Sequence, residues 1–165
     1  MAEVDDAALL ADLGAASYRS HFSSVWTPQG LDDYIASHYD IDCIRRDIEG
    51  SSTRYFLAHV GDDPAGFAKV TSGRPIPLTD DVGTELEKVY LLPEFTGGGR
   101  GSALIKEAIG FAAACGEKTV WLTVLKENQA GRRLYERLGF TVAVELPFAT
   151  DLREIGFWMM TRSIG

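Results

Sequence analysis

Residues 84–102, TELEKVYLLPEFTGGGRGS, decide the fold of this chain. Thr84 to Leu92 mixes branched, aromatic and charged side chains and reads as a strand, stopped by Pro93. Thr96-Gly97-Gly98-Gly99-Arg100-Gly101-Ser102 follows as a glycine-rich turn. A helix is then expected from about Ser102 to Ala114, because Leu104, Ile105, Ala108, Ile109 and Ala112 fall on one stripe. Glycines let a backbone reach positive φ and approach a ligand without Cβ clashes. A helix N-terminus placed directly after them offers unpaired N–H groups and partial positive charge, the combination that binds phosphate.

Outward from this stretch, periodicity alternates between helix and strand. Thr119 to Leu125 is apolar on both faces, as a buried central strand is. Ala130 to Leu138 reads as a short helix ended by Gly139, and Phe140 to Leu146 and Ile155 to Thr161 as closing strands. Upstream, Asp5 to His21 and Leu31 to Ile48 carry helical spacing. Tyr55 to Val60 and Gly66 to Thr71 form a hairpin about Gly61-Asp62-Asp63-Pro64, and Gly73 to Asp81, with Pro75 and Pro77, reads as a loop. The result is α/β with a mixed sheet, and nothing resembles a linker or repeat, so residues 1–165 are expected to be one domain.

Two nucleotide motifs fail on the glycine turn. Walker A requires Gly-Lys-Ser/Thr where Gly101 is followed by Ser102 and Ala103. A dinucleotide fingerprint starting at Gly97 requires glycine or alanine where Ser102 stands. The turn instead resembles the acetyl-CoA loop of the GNAT N-acetyltransferase superfamily, Gln/Arg-x-x-Gly-x-Gly/Ala, with Thr96 in place of the long polar residue. Asn128 through Phe140, NQAGRRLYERLGF, is similar to the same family's second motif. A narrower resemblance, over Gly66 to Val70 and Glu85 to Leu91, is to PaiA-type polyamine acetyltransferases. The superfamily implies a three-layer domain: a mostly antiparallel sheet flanked by helices, with two central parallel strands that splay apart.

That resemblance also implies site roles. Backbone N–H groups from Thr96 through Ser102, that is Thr96, Gly97, Gly98, Gly99, Arg100, Gly101 and Ser102, would hold the pyrophosphate of acetyl-CoA as co-substrate. Pantetheine would pair like an extra strand beside Leu91 and Leu92, Asn128 would orient it, and Arg100 and Arg133 would reach phosphate. Acetyl transfer needs a base for the amine, donors for the oxyanion and a proton for the thiolate. Tyr135 matches the family's acid, and the N–H near Leu92 is an oxyanion donor. Glu85 best matches the strand glutamate that serves as base, with Glu87 the close second. Strand alternation would put these two on one face and Lys88 and Tyr90 on the other. The acids and aromatics of Leu31 to Asp42 would suit a cationic amine, either a small amine such as a polyamine or a peptidyl amine.

Composition narrows the alternatives. Lys and Arg number 16 against 24 Asp and Glu, a net charge of −8, which disfavours a nucleic-acid partner. Two cysteines without a CxxC pair and three scattered histidines indicate neither disulfide scaffold nor metal site, and no covalent acetyl-cysteine is expected at Cys43 or Cys115. The acidic start differs from a secretory leader and no apolar run would span a bilayer, so a cytoplasmic monomer or homodimer is expected. The competing class is a non-catalytic acyl-CoA sensor or interaction module.

Overall fold

The computed structural model describes residues 1–165. Five helices, α1 (Ala7–Phe22), α2 (Pro28–His38), α3 (Ile41–Glu49), α4 (Arg100–Ala114) and α5 (Gln129–Arg137), flank six strands. The strands are β1 (Thr53–Val60), β2 (Asp63–Pro75), β3 (Val82–Leu91), β4 (Thr119–Leu125), β5 (Thr141–Leu146) and β6 (Phe157–Ser163). The strand order is β1-β2-β3-β4-β6-β5, antiparallel throughout except for β3 and β4. β2 and β3 reach further than expected: the stretch read as a loop from Gly73 contributes three strand residues, Gly73 to Pro75, before Ile76 turns the chain.

The sheet separates two apolar layers. The stripe on α4 packs Leu104, Ile105, Ala108 and Ala112 against Phe56, Val70, Leu86, Val120, Leu122 and Met160. On the opposite face, Leu10, Leu13 and Tyr18 of α1, Leu31 and Ile35 of α2 and Ile44 of α3 cover Tyr55 and Phe67. Helices α2 and α3 start on side-chain caps. Thr27 takes the N–H of Gly30 for α2, and Asp40 takes that of Cys43 for α3. No helix is long and apolar enough to cross a membrane.

Two irregularities position the site. First, β3 meets β4 only through Thr84↔Val120 and Glu85↔Trp121, although both strands run on. From Leu86 to Leu91, β3 has no partner on that side, and the two parallel strands diverge. Second, Lys69 opposes Lys88 while its neighbour Val70 opposes Leu86, so Glu87 is an extra residue in a β-bulge. Leu86 faces the α4 layer, yet the next β3 residues to face it are Val89 and Leu91, whereas Tyr90 and Leu92 face α1–α3. The bulge therefore shifts the alternation by one residue. Lys88 and Tyr90 lie on the same face as Glu85 and Glu87, contrary to the strand-alternation expectation.

Candidate active site

Three consecutive glycines, Gly97, Gly98 and Gly99, have φ of 84°, 59° and 76° and lead into α4. A Cβ on Gly97 or Gly99 would meet no protein atom, so the space above these residues is open. The N–H groups of Gly97, Gly98, Gly99, Gly101 and Ser102 donate to no protein acceptor, whereas Arg100 N–H makes a long bond of 3.4 Å to Gly97 O. Thr96 departs from the expected cradle. Its N–H bonds to Pro93 O at 3.3 Å and its hydroxyl to the same oxygen at 2.8 Å, closing the preceding turn. The Arg100 guanidinium folds back over the loop to the carbonyls of Phe95 and Gly97. Free amides at a helix N-terminus, beside a backbone surface without side chains, fit a pyrophosphate.

Gly101 joins this loop to the rest of the site. A Cβ there would lie 3.3 Å from Leu134 of α5 and 3.9 Å from Leu91 of β3, so the start of α4, the end of β3 and α5 converge. The diverging edge of β3 supplies backbone groups. Leu92 N–H donates to Ala65 O at 2.9 Å and Leu92 O accepts from Phe95 N–H, so neither serves pantetheine or an oxyanion as expected. Successive residues of a strand alternate their N–H and C=O groups between its two edges. Leu91 therefore faces the gap, and its carbonyl accepts from His21 Nε2 at 3.0 Å, with the ring in the tautomer that protonates this nitrogen.

Glu85 and Glu87 differ in their surroundings. Glu85 pairs with Arg74 at 3.1 Å, and burial, then the charge of Glu87, pushes its carboxyl above the ordinary range. Glu87 is held on both oxygens, by the Thr71 hydroxyl at 2.5 Å and by Lys69 Nζ at 2.9 Å. Lys69 also pairs with Asp47 at 2.9 Å, and Asp47 accepts from Tyr55 Oη at 2.8 Å. Burial opposes the charge on Lys69, but the two carboxylates outweigh it and raise its pKa. Of the two glutamates, Glu85 keeps an oxygen without a hydrogen bond.

Tyr135 sits on the inner side of α5 against Phe140, ring centroids 5.9 Å apart, and its hydroxyl has no hydrogen bond. Burial pushes the phenol up to about 12. Tyr90, on the opposite face of the sheet, has its own phenol raised first by burial and in part by Tyr135. Asn128 caps α5, its Oδ1 accepting from Gly131 N–H at 2.9 Å, which leaves only its amide NH₂ for a ligand. Arg133 is exposed on α5 and makes no ion pair.

The acceptor side is walled by aromatics. Tyr18 stacks on Tyr34 at 4.4 Å and meets Tyr90 edge-on at 6.2 Å, with Trp26 5.2 Å from Tyr34. The acids of residues 31–42, expected beside them, are spent outside. Asp32 pairs with Arg19, Asp33 accepts from Gln29, Asp40 caps α3 and Asp42 pairs with Arg45. The acids near the aromatics are Asp47, which accepts from Tyr55 Oη, and Glu87, whose charge acts on Tyr34 and Tyr55. A second wall is residues 147–156 between β5 and β6, whose Asp151 accepts from Thr27 N–H at 3.0 Å and whose Phe148 meets Trp26. Sequence reading missed this docking, Arg74 and Lys69. A lone lysine among the apolar residues of β2 was the available signal for Lys69. No three His, Cys, Asp or Glu side chains group where they could hold a metal ion.

A strand–glycine loop–helix beside splayed parallel strands defines an acyl-CoA-type acetyltransferase fold. Residues 15–140 match the model of the acetyltransferase (GNAT) family, and the chain belongs to that family. An uncharacterized N-acetyltransferase of Mycobacterium tuberculosis is 34% identical over 85 residues, 52% of this chain and 54% of that protein. Another from Methanocaldococcus jannaschii is 32% identical over 97 residues, covering 59% and 41%. The match thus spans about half the length of these relatives. Among solved structures, the PaiA N-acetyltransferase of Thermoplasma acidophilum in complex with coenzyme A has a TM-score of 0.78 at 20% identity, covering 99% and 96% of the two chains. The yncA protein of Salmonella typhimurium with acetyl-CoA has 0.71 at 21% identity, covering 99% and 91%.

Proposed function

We propose that residues 1–165 form one acetyl-CoA-dependent N-acetyltransferase domain that moves an acetyl group to a primary amine by direct transfer, with both substrates bound together. The observation that carries this reading is the run of unpartnered amides at Gly97, Gly98, Gly99, Gly101 and Ser102, next to an unpaired edge of β3. Similar folds solved with coenzyme A or acetyl-CoA support it. Acetyl-CoA supplies an acyl group activated as a thioester. The free amides bind its phosphates, and Leu91 N–H aligns its arm in the gap once His21 yields the carbonyl. Retention of Tyr135 and Glu85 beside that gap favours an enzyme over a sensor.

Glu85 takes a proton from the acceptor ammonium, directly or through water, so that the neutral amine attacks. Its raised pKa brings it closer to neutral pH, where a base is most effective. Tyr135, with a phenol near 12, stays protonated and donates its O–H toward the departing sulfur. The candidate acceptors are a small amine, such as a polyamine, and a peptidyl amine.

Calorimetric titration of acetyl-CoA into the wild-type protein and Gly99→Val tests the loop. At φ 76° a β-branched residue is strained, and its side chain enters the open space above the amides. Saturable binding by the wild type and its loss in a folded variant is expected. Equal affinity for both would remove the loop from the site.

A further inference from the structure

Every charged group on the acceptor face except one already has a partner. Glu87 is engaged by Lys69 and Thr71, Asp47 by Lys69 and Tyr55, and Glu85 by Arg74. Lys88 makes no ion pair and no hydrogen bond, and its ammonium lies 5.7 Å from the centre of the Tyr39 ring. The residue is half-buried. It reaches this face because of the bulge. Regular alternation would have pointed it with Leu86 into the α4 layer. Resting on the proposed N-acetyltransferase reading, we infer that Lys88 binds an anionic group, carboxylate or phosphate, carried by the acceptor in addition to its amine.

Three considerations support this assignment. Burial, and then the charge of Lys69, depresses the pKa of Lys88, so its ammonium gains from a counter-ion that the protein does not provide. Glu87, Glu85 and Asp47 are close enough to act on it, but each is already paired with another cation, Lys69 or Arg74. The buried Tyr39 ring beside the Lys88 ammonium lowers the local dielectric and strengthens an ion pair formed there. A diamine or polyamine would place a second cation against Lys88, a repulsive arrangement that selects against it.

The test compares acceptors that differ only in the anion: lysine against cadaverine, ornithine against putrescine, and O-phosphoethanolamine against ethanolamine. Wild-type protein is expected to favour the anionic member of at least one pair by about tenfold or more in kcat/KM. The first two pairs report a carboxylate site and the third a phosphate site. Lys88→Met should raise KM for the anionic member and erase the preference, and Lys88→Arg should retain it. A preference for the diamines, or a preference unchanged in Lys88→Met, would overturn the inference. So would a kcat loss equal for both members, the signature of proton transfer by Lys88. Titration of acetyl-CoA alone separates the two levels. Binding without turnover of any anionic acceptor overturns the Lys88 assignment, whereas absence of binding overturns the acetyltransferase reading itself.

Discussion

In the proposed mechanism, Tyr135 and Glu85 take their roles from what surrounds them. The Tyr135 hydroxyl is the polar end of a residue otherwise packed on Phe140, and it has no partner within the protein. Tyr135→Phe removes the O–H and leaves the packing. It should lower kcat by about ten- to a thousandfold, the scale of a lost acid–base catalyst, with acetyl-CoA affinity unchanged. Steady-state kinetics alongside calorimetry checks both, and an unchanged kcat removes Tyr135 from the mechanism. Glu85 is governed by Arg74, which stabilises the carboxylate and opposes the effects of burial and Glu87. In Arg74→Gln that stabilisation is lost, Glu85 binds its proton more tightly, and the acid limb of kcat/KM moves to higher pH. An exposed pair contributes roughly 0.2–1 kcal/mol, so the movement is about 0.1–0.7 of a pH unit. A limb that does not move assigns the base elsewhere. The motif that holds Tyr135 could be read because its thirteen residues, Asn128 to Phe140, are contiguous, whereas Arg74 could not, since only the β2–β3 register brings it to Glu85.

At the scale of elements, the glycine loop and the bulge were unequally visible. Glycine spacing is a local property, and the turn from Gly97 into α4 lies where the sequence placed it. Which amides remain free depends on neighbours: Thr96 and Leu92 lose theirs to Pro93 and Ala65. The bulge at Glu87 depends on pairing between β2 and β3, so a period of two read along one strand assigned Lys88 and Tyr90 to the wrong face. Charges held together by this register are Lys69, Asp47 and Glu87. Lys69→Met leaves two carboxylates facing each other without their cation. The expected loss of stability is about 2–4 kcal/mol, less than for a fully buried pair because Asp47 keeps 34% of its side-chain exposure. In thermal unfolding this is a fall of roughly 4–15 °C. A change below a degree would mean that the network contributes nothing to the fold.

The whole molecule brings these elements together by leaving its sheet incompletely closed. Helices α1–α3 cover β1 to β3 on one face, and Ile76, Trp121 and Met159 make a smaller cluster toward β4 and β6. Between them, residues 147–156 dock on Val25 to Thr27, where Thr150 Oγ1 donates to Val25 O at 2.5 Å. β3 and β4 part beyond their two pairs, with the free amides following the end of β3 and Lys88 on the helix-covered face. The order of elements followed from hydrophobic period, and the three layers from the family resemblance. The docking of residues 147–156 on a segment more than 120 positions away did not, because it is made by hydrogen bonds and one aromatic contact that leave no period in the sequence. The proposed reaction is the transfer of an acetyl group from acetyl-CoA to an amine in this gap. Release of free CoA thiol, followed with and without acceptor amines, measures that transfer most directly. It should rise in an amine-dependent, saturable way, with stoichiometric N-acetylated product. Thiol release that is the same without any amine, or none at all despite saturating acetyl-CoA, would contradict it.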